Sequence, residues 1–369
     1  MNRHFSIYLD AVRFLMAFMV FFYHSAFPNF LPWLPWLNVG HHAVIVFFVL
    51  SGMVIAWVAE DKENRCDTYL IARISRIYSV FLPTLMITFI ALYVGATLNP
   101  AIYANVAIPR TVGDFLFALV GNLLLLNQHW GSHVSNLGNV PLWSLCYEFW
   151  YYMIFAAYSF ARSRMQGLLL ALLLVVLCGP RIALLFPLWI LGVVLHRHAL
   201  QWRLSERLGW LLFVLPLLFY ALSYFLSFAS SLHTMTLATF GPRLHELGFS
   251  QHFVFDYLLG IGVAAHFIGA NRIAFRLAPV LVRWEQPIRY LASFTFTFYL
   301  LHYPLLSLFA ALPGHDPHSV PRGLLLWLLT LATILMVGRV TEQWRYSGRD
   351  ILRGWFPASS TDTRGKPVV

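Results

Sequence analysis

The sequence predicts an all-α integral membrane protein of about ten transmembrane helices plus one short re-entrant or buried helix, with both termini cytoplasmic. Residues counted as hydrophobic make up 59% of the chain and charged residues only 11%. Apolar runs of spanning length recur from end to end, which no soluble domain of 369 residues requires. The basic residues, moreover, gather in alternate short loops.

Spans fall at Tyr8–Phe27, His42–Ala59, Ile77–Ala96, Leu142–Phe160, Gly167–Cys178, Ile182–Leu195, Leu208–Phe228, Phe253–Ala270, Ile288–Leu312 and Leu324–Val340. The first is expected to be retained, because it carries Asp10, Arg13 and His24 and lacks a small-residue cleavage site. Asp114–Leu126 is apolar but shorter than the roughly 20 residues a crossing needs. If it does not cross, twenty Lys and Arg residues lie on the cytoplasmic side and four (Arg110, Arg181, Arg243, Arg322) outside. Making it a crossing would put every later basic loop on the wrong side. Residues 1–345 then form the membrane domain and 346–369, with Pro, Ser and Gly, a mobile cytoplasmic tail.

The net charge of +10 reflects these orientation signals, and no nucleic-acid partner is expected. Cys66, Cys146 and Cys178 are widely spaced and form neither a disulfide framework nor a zinc pattern. Adjacent His41 and His42 point to different helix faces and suit an interfacial cap better than a metal, so no metal site is expected. Lysine occurs only at positions 62 and 366, which leaves Schiff-base chemistry without a candidate inside a span.

Ionisable groups at membrane depth are costly and usually functional. In "LDAVRFLMAFMVFFYH", Arg13 and His24 are eleven residues apart. At 100° per residue they return to within about 20° of each other, roughly 16 Å apart along the axis. His24 alone reads equally well as an inert interfacial histidine; the in-phase Arg13, with Asp10 nearby, shifts it toward a proton acceptor. Arg73 and Arg76, three apart in "YLIARISRIYSVFLP", read either as an orientation signal or as a phosphate clamp. Glu148 lies among aromatic residues in "PLWSLCYEFWYY" and suits an arginine partner, an orienter of His24 or an acceptor-hydroxyl ligand. Ser144, four residues earlier on the same face, is a nucleophile only if a base touches it. His302, in "FTFYLLHYPLL", reads first as a structural hydrogen bonder and second as a site-lining group.

Taken together, "LDAVRFLMAFMVFFYH", "GHHAVIVFFVLSG", "RISRIYSVFLP", "PLWSLCYEFWYY" and "SFTFTFYLLHYPL" resemble the acyltransferase-3 family of integral membrane acyltransferases, which includes O-antigen, exopolysaccharide and nodulation-factor O-acetylases. Ala11 departs from the family, which often has glycine there, and Glu342 matches only weakly. The resemblance implies transfer from cytoplasmic acyl-CoA, usually acetyl-CoA and not a tightly bound cofactor, to a sugar hydroxyl near the outer face of a bacterial inner membrane. His24 becomes the base, Arg13 its partner and a further CoA contact, and Arg73 and Arg76 the CoA-binding pair. Glu148 joins the catalytic set, and Ser144, Glu148 and His302 line the acceptor. An extended pantetheine arm of about 15 Å matches the rise from Arg13 to His24. The implied partners are membrane lipid, acyl-CoA, the glycan acceptor and glycan-assembly proteins. The competing class is a transporter or flippase of a lipid-linked or anionic sugar, which would use Arg13, His24 and Glu148 for binding and proton relay.

Overall fold

A computed structural model describes residues 2–35 and 37–355. They form thirteen α-helices joined by short 3-10 turns, with no strand among the described residues. In chain order the helices are α1 (Arg3–Ser25), α2 (Gly40–Asp61), α3 (Cys66–Leu98), α4 (Val112–Leu123), α5 (Leu142–Ser159), α6 (Arg164–Cys178) and α7 (Pro180–Arg197). There follow α8 (Glu206–Phe225), α9 (Phe228–Phe240), α10 (Phe253–Arg283), α11 (Glu285–Ser293), α12 (Thr295–Ala310) and α13 (Val320–Trp355).

Seven helical segments, those containing α1, α2, α3, α7, α8, α10 and α13, are long and apolar enough to cross a membrane. The pair α11 and α12, bent by 52° at Phe294, makes an eighth if it counts as one span. The ten spans expected from the sequence also include α5 and α6. Helix α6 has only 15 residues, and α5 trades apolarity for Ser144, Glu148 and a run of tyrosines. Helix α4 has 12 residues, roughly 18 Å of rise, too short for a crossing, and it starts at a capping box between Thr111 and Asp114. Two elements lie outside the sequence reading: α9, and the continuation of α13 as helix to Trp355 into the segment assigned to the tail. The rest of that tail, 356–369, lies outside the described residues.

Burial separates lipid-facing helices from those that build the site. Leu211, Leu215, Leu218 and Leu222 recur at one helical face of α8 and are exposed, as a face against lipid chains would be. Helix α5, in contrast, buries Trp143, Ser144, Tyr147, Tyr151 and Tyr152. Helices α2 and α7 meet backbone to backbone. A Cβ on Gly52 would lie 1.9 Å from the Trp189 carbonyl oxygen, and one on Gly192 2.0 Å from that of Val49. Small residues permit this approach where apolar burial gives no drive between helices in lipid. It brings Trp189 beside Ser51, to which the indole Nε1 donates at 3.3 Å.

Candidate functional site

Two neighbouring cavities hold most of the ionisable residues singled out in the sequence. The first, about 350 Å3, is lined by Asp10 and Arg13 of α1, Ser51 of α2, Arg76 of α3, Ser144, Glu148 and Tyr152 of α5, and Arg289 of α11. The second, about 600 Å3, carries His24, His41, His42, His233 and His252 on its wall. Val44 and Tyr299 belong to both walls, so these residues of α2 and α12 stand between neighbouring cavities.

In the arginine cavity most charge is paired. Asp10 accepts from Arg289 at 2.8 Å and from Arg13 at 3.4 Å, and Arg289 also donates to Glu285 at 2.9 Å. Arg76 has no ion pair among the described residues, which leaves a guanidinium free for an anion. Its expected companion does not share the wall. Arg73 donates to both carboxylate oxygens of Glu63, at 2.9 and 2.8 Å, with both side chains buried and the guanidinium near the rings of Tyr69 and Tyr152. Three residues apart on α3, the two arginines are divided by a carboxylate in the α2–α3 connection.

Glu148 also sits elsewhere than expected. Its Oε1 accepts from the Ser51 hydroxyl at 2.8 Å and from Tyr152, and it faces the arginine cavity, away from the imidazole of His24. Ser144 donates to the Pro141 carbonyl at 3.2 Å and pairs with the Tyr299 hydroxyl at 2.6 Å. No base touches it, so it is not an activated nucleophile.

His24 is oriented by His302. Nδ1 of His302 lies 3.2 Å from the Phe298 carbonyl oxygen, which can only accept, so this nitrogen carries the proton. Nε2 of a neutral His302 is then an acceptor, and Nδ1–H of His24 donates to it at 2.9 Å. The assignment leaves Nε2 of His24 with its lone pair free. Both imidazoles are buried, and His302 itself lines neither cavity. The role of orienter, expected of Glu148, falls geometrically to His302.

His41 and His42, read from the sequence as an interfacial cap, line the histidine cavity, whose remaining wall has no assignment from the sequence. Nε2 of His41 stands 3.0 Å from both oxygens of Asp256, a carboxylate with no solvent exposure, and the His41 ring stacks on Trp143, which stacks in turn on Phe249. His42 pairs with the Tyr220 hydroxyl at 3.0 Å. Helix α9 and the turn after it supply Ser230, His233, Thr234, Gln251 and His252. The signal that could have found this chamber is Asp256, an acidic residue within the apolar run "FVFDYLLGIGVAAHF". No group of three or more His, Cys, Asp or Glu among the described residues is arranged to hold a metal ion.

Fold and site together define a multi-pass helical membrane protein with a buried two-chambered polar interior. The acyltransferase-3 family model, described as an acyltransferase domain, matches residues 6–338. The chain belongs to that family. It is also similar to the acyltransferase MdmB of Streptomyces mycarofaciens, 31% identical over 158 residues, a match that spans 41% of this chain and 38% of that relative. No solved structure gives a significant match.

Proposed function

We propose that this acyltransferase moves an acyl group, acetyl in the first instance, from cytoplasmic acyl-CoA to a sugar hydroxyl of a cell-surface or exported glycan at a bacterial inner membrane. The observation that carries this reading is an arginine-lined cavity that shares the wall residues Val44 and Tyr299 with a histidine-lined one. Guanidinium groups bind phosphate oxygens through paired N–H donors, and Arg76, Arg13 and Arg289 offer them to CoA. Arg73, closed against Glu63, positions α3 from behind. Glu148 presents a carboxylate to the N–H groups of the pantetheine arm.

The thioester then reaches His24 past the junction. Nε2 of His24 removes the proton from the acceptor hydroxyl as its oxygen attacks the carbonyl, while His302 holds the productive tautomer. A thiolate leaves readily, so activating the hydroxyl and stabilising the oxyanion are the main demands. On the acceptor side, His41, His42, Asn38 and Gln251 can satisfy sugar hydroxyls, and Phe249 and Phe255 offer apolar surface to the ring. Glycan-assembly proteins would deliver that acceptor within the membrane. The test supplies acetyl-CoA to purified protein in lipid and follows thiol release, with mass spectrometry of surface glycans from deletion and complemented strains. Movement of a lipid-linked sugar with no acyl-CoA consumed would replace this reading with a transporter.

A further inference from the structure

We infer that the Tyr299 hydroxyl is the donor that stabilises the oxyanion formed at the thioester carbonyl, with Ser144 as the positioning residue behind it. The inference rests on the acyl-transfer reading and assigns a role that reading leaves unfilled. An acyl group passing from the arginine cavity to His24 must pass the two residues common to both walls. Val44 has no donor to offer. Tyr299 has one, on the wall that the cavity of His24 shares with the arginine cavity.

Three features make this hydroxyl ready for that work. First, Tyr299 stands one turn before His302 on α12, with ring centroids 6.1 Å apart, so one helix face carries both this hydroxyl and the imidazole that orients the base. Second, its ring is buried and packed edge-on against Phe47, with centroids 5.8 Å apart. Third, its oxygen is held 2.6 Å from Ser144 Oγ, whose own proton goes to the Pro141 carbonyl at 3.2 Å. That leaves the Tyr299 proton on Ser144 at rest. When charge develops on the thioester oxygen, Tyr299 turns its O–H to that oxygen and Ser144 turns its own to Tyr299. Pro141, as the N-cap of α5, keeps its carbonyl available to the first intrahelical N–H. A hydroxyl whose oxygen is held in place needs only to turn its O–H, and so stabilises a transition state without reorganising water.

The step balances as follows. The acceptor oxygen forms a bond to the carbonyl carbon, the π pair moves to the carbonyl oxygen, and the hydroxyl proton goes to Nε2 of His24. Collapse restores the C=O bond and breaks C–S. CoA leaves with the electron pair, and the proton held on His24 neutralises the thiolate. Tyr299 lends its proton as a hydrogen bond and keeps it.

Inverted membrane vesicles from the host, carrying each variant and supplied with radiolabelled acetyl-CoA, report label entering the glycan fraction whichever sugar accepts it. For Tyr299→Phe, which keeps the ring and removes one oxygen, the maximal rate per folded protein should fall about a hundredfold or more, with half-saturation by acetyl-CoA unchanged. Ser144→Ala should lose less. If the hydroxyl pair only fastens α5 to α12, both variants lower the unfolding temperature equally and keep the wild-type rate per folded protein, which overturns the inference. Labelling by wild type no greater than that of vesicles lacking the protein would instead remove the acyl-transfer reading itself, whatever Tyr299 does.

Discussion

The two cavities carry polarity in different forms. The arginine cavity holds permanent charge: three guanidinium groups face two carboxylates, and Arg76 remains uncommitted. The histidine cavity has no Arg, Lys, Asp or Glu on its wall among the described residues and relies on five imidazoles. Fixed cations suit a ligand with fixed negative charge, because each remains ionised across the physiological range. Imidazoles both donate and accept, which suits hydroxyls. The contrast explains why a donor bearing phosphates and an acceptor bearing hydroxyls would approach from separate chambers.

The sharpest way to break this division is at the base. His24→Ala should reduce transfer by about a hundredfold or more while leaving acyl-CoA binding intact, measured as labelling rate beside a direct binding isotherm. His302→Ala should slow transfer as well, by releasing the His24 tautomer. Wild-type transfer in His24→Ala would end the assignment. On the other side, Arg76→Ala and Arg289→Ala should weaken acyl-CoA binding by about ten- to a hundredfold each. Arg73→Ala should behave differently, because it strands Glu63 buried without a partner, at a cost of about 3–5 kcal/mol in stability. Its signature is loss of folded protein with normal CoA affinity in what survives. Equal CoA defects at Arg73 and Arg76 would restore the paired clamp.

A smaller effect is expected from Asp256→Asn, which deprives His41 of its carboxylate. Half-saturation by a glycan acceptor should rise about tenfold while acyl-CoA binding stays unchanged. The orientation of the two chambers is tested without any change in rate. Cysteines placed at Asn29 and at Gly131, both exposed, should react with an impermeant thiol reagent added outside the cell. Labelling at only one of them would show that α4 crosses.

What the sequence makes legible is whatever follows from periodicity along one helix. Arg13 and His24 do lie on one helix, at the walls of two successive chambers, as their eleven-residue spacing suggests. Helix α4 is recognisable by length alone. Depth and tilt are not legible, which is why Glu148, for which orienting His24 is one reading, lines the arginine chamber with Ser144 instead. Arg73 and Arg76 share a spacing but not a fate, because Glu63 comes from a connecting loop that helical periodicity does not describe. Helix α9 is hidden from a search for spans because it is short, and because Ser230, His233 and Thr234 turn polar groups into the cavity. His302 is visible as a hydrogen-bonding residue, but its partner is not.

That partnership sets a schedule for the biosynthesis of the protein. His24 and His302 are 278 positions apart in the chain. At about 5–20 residues per second, synthesis delivers the second imidazole some tens of seconds after the first. Throughout that interval the first helix lacks the partner that fixes the His24 tautomer, and a chain released early is a membrane protein without an oriented His24. Any activity that depends on the pair can begin only once the last helices have been inserted, so incomplete products of the ribosome are silent.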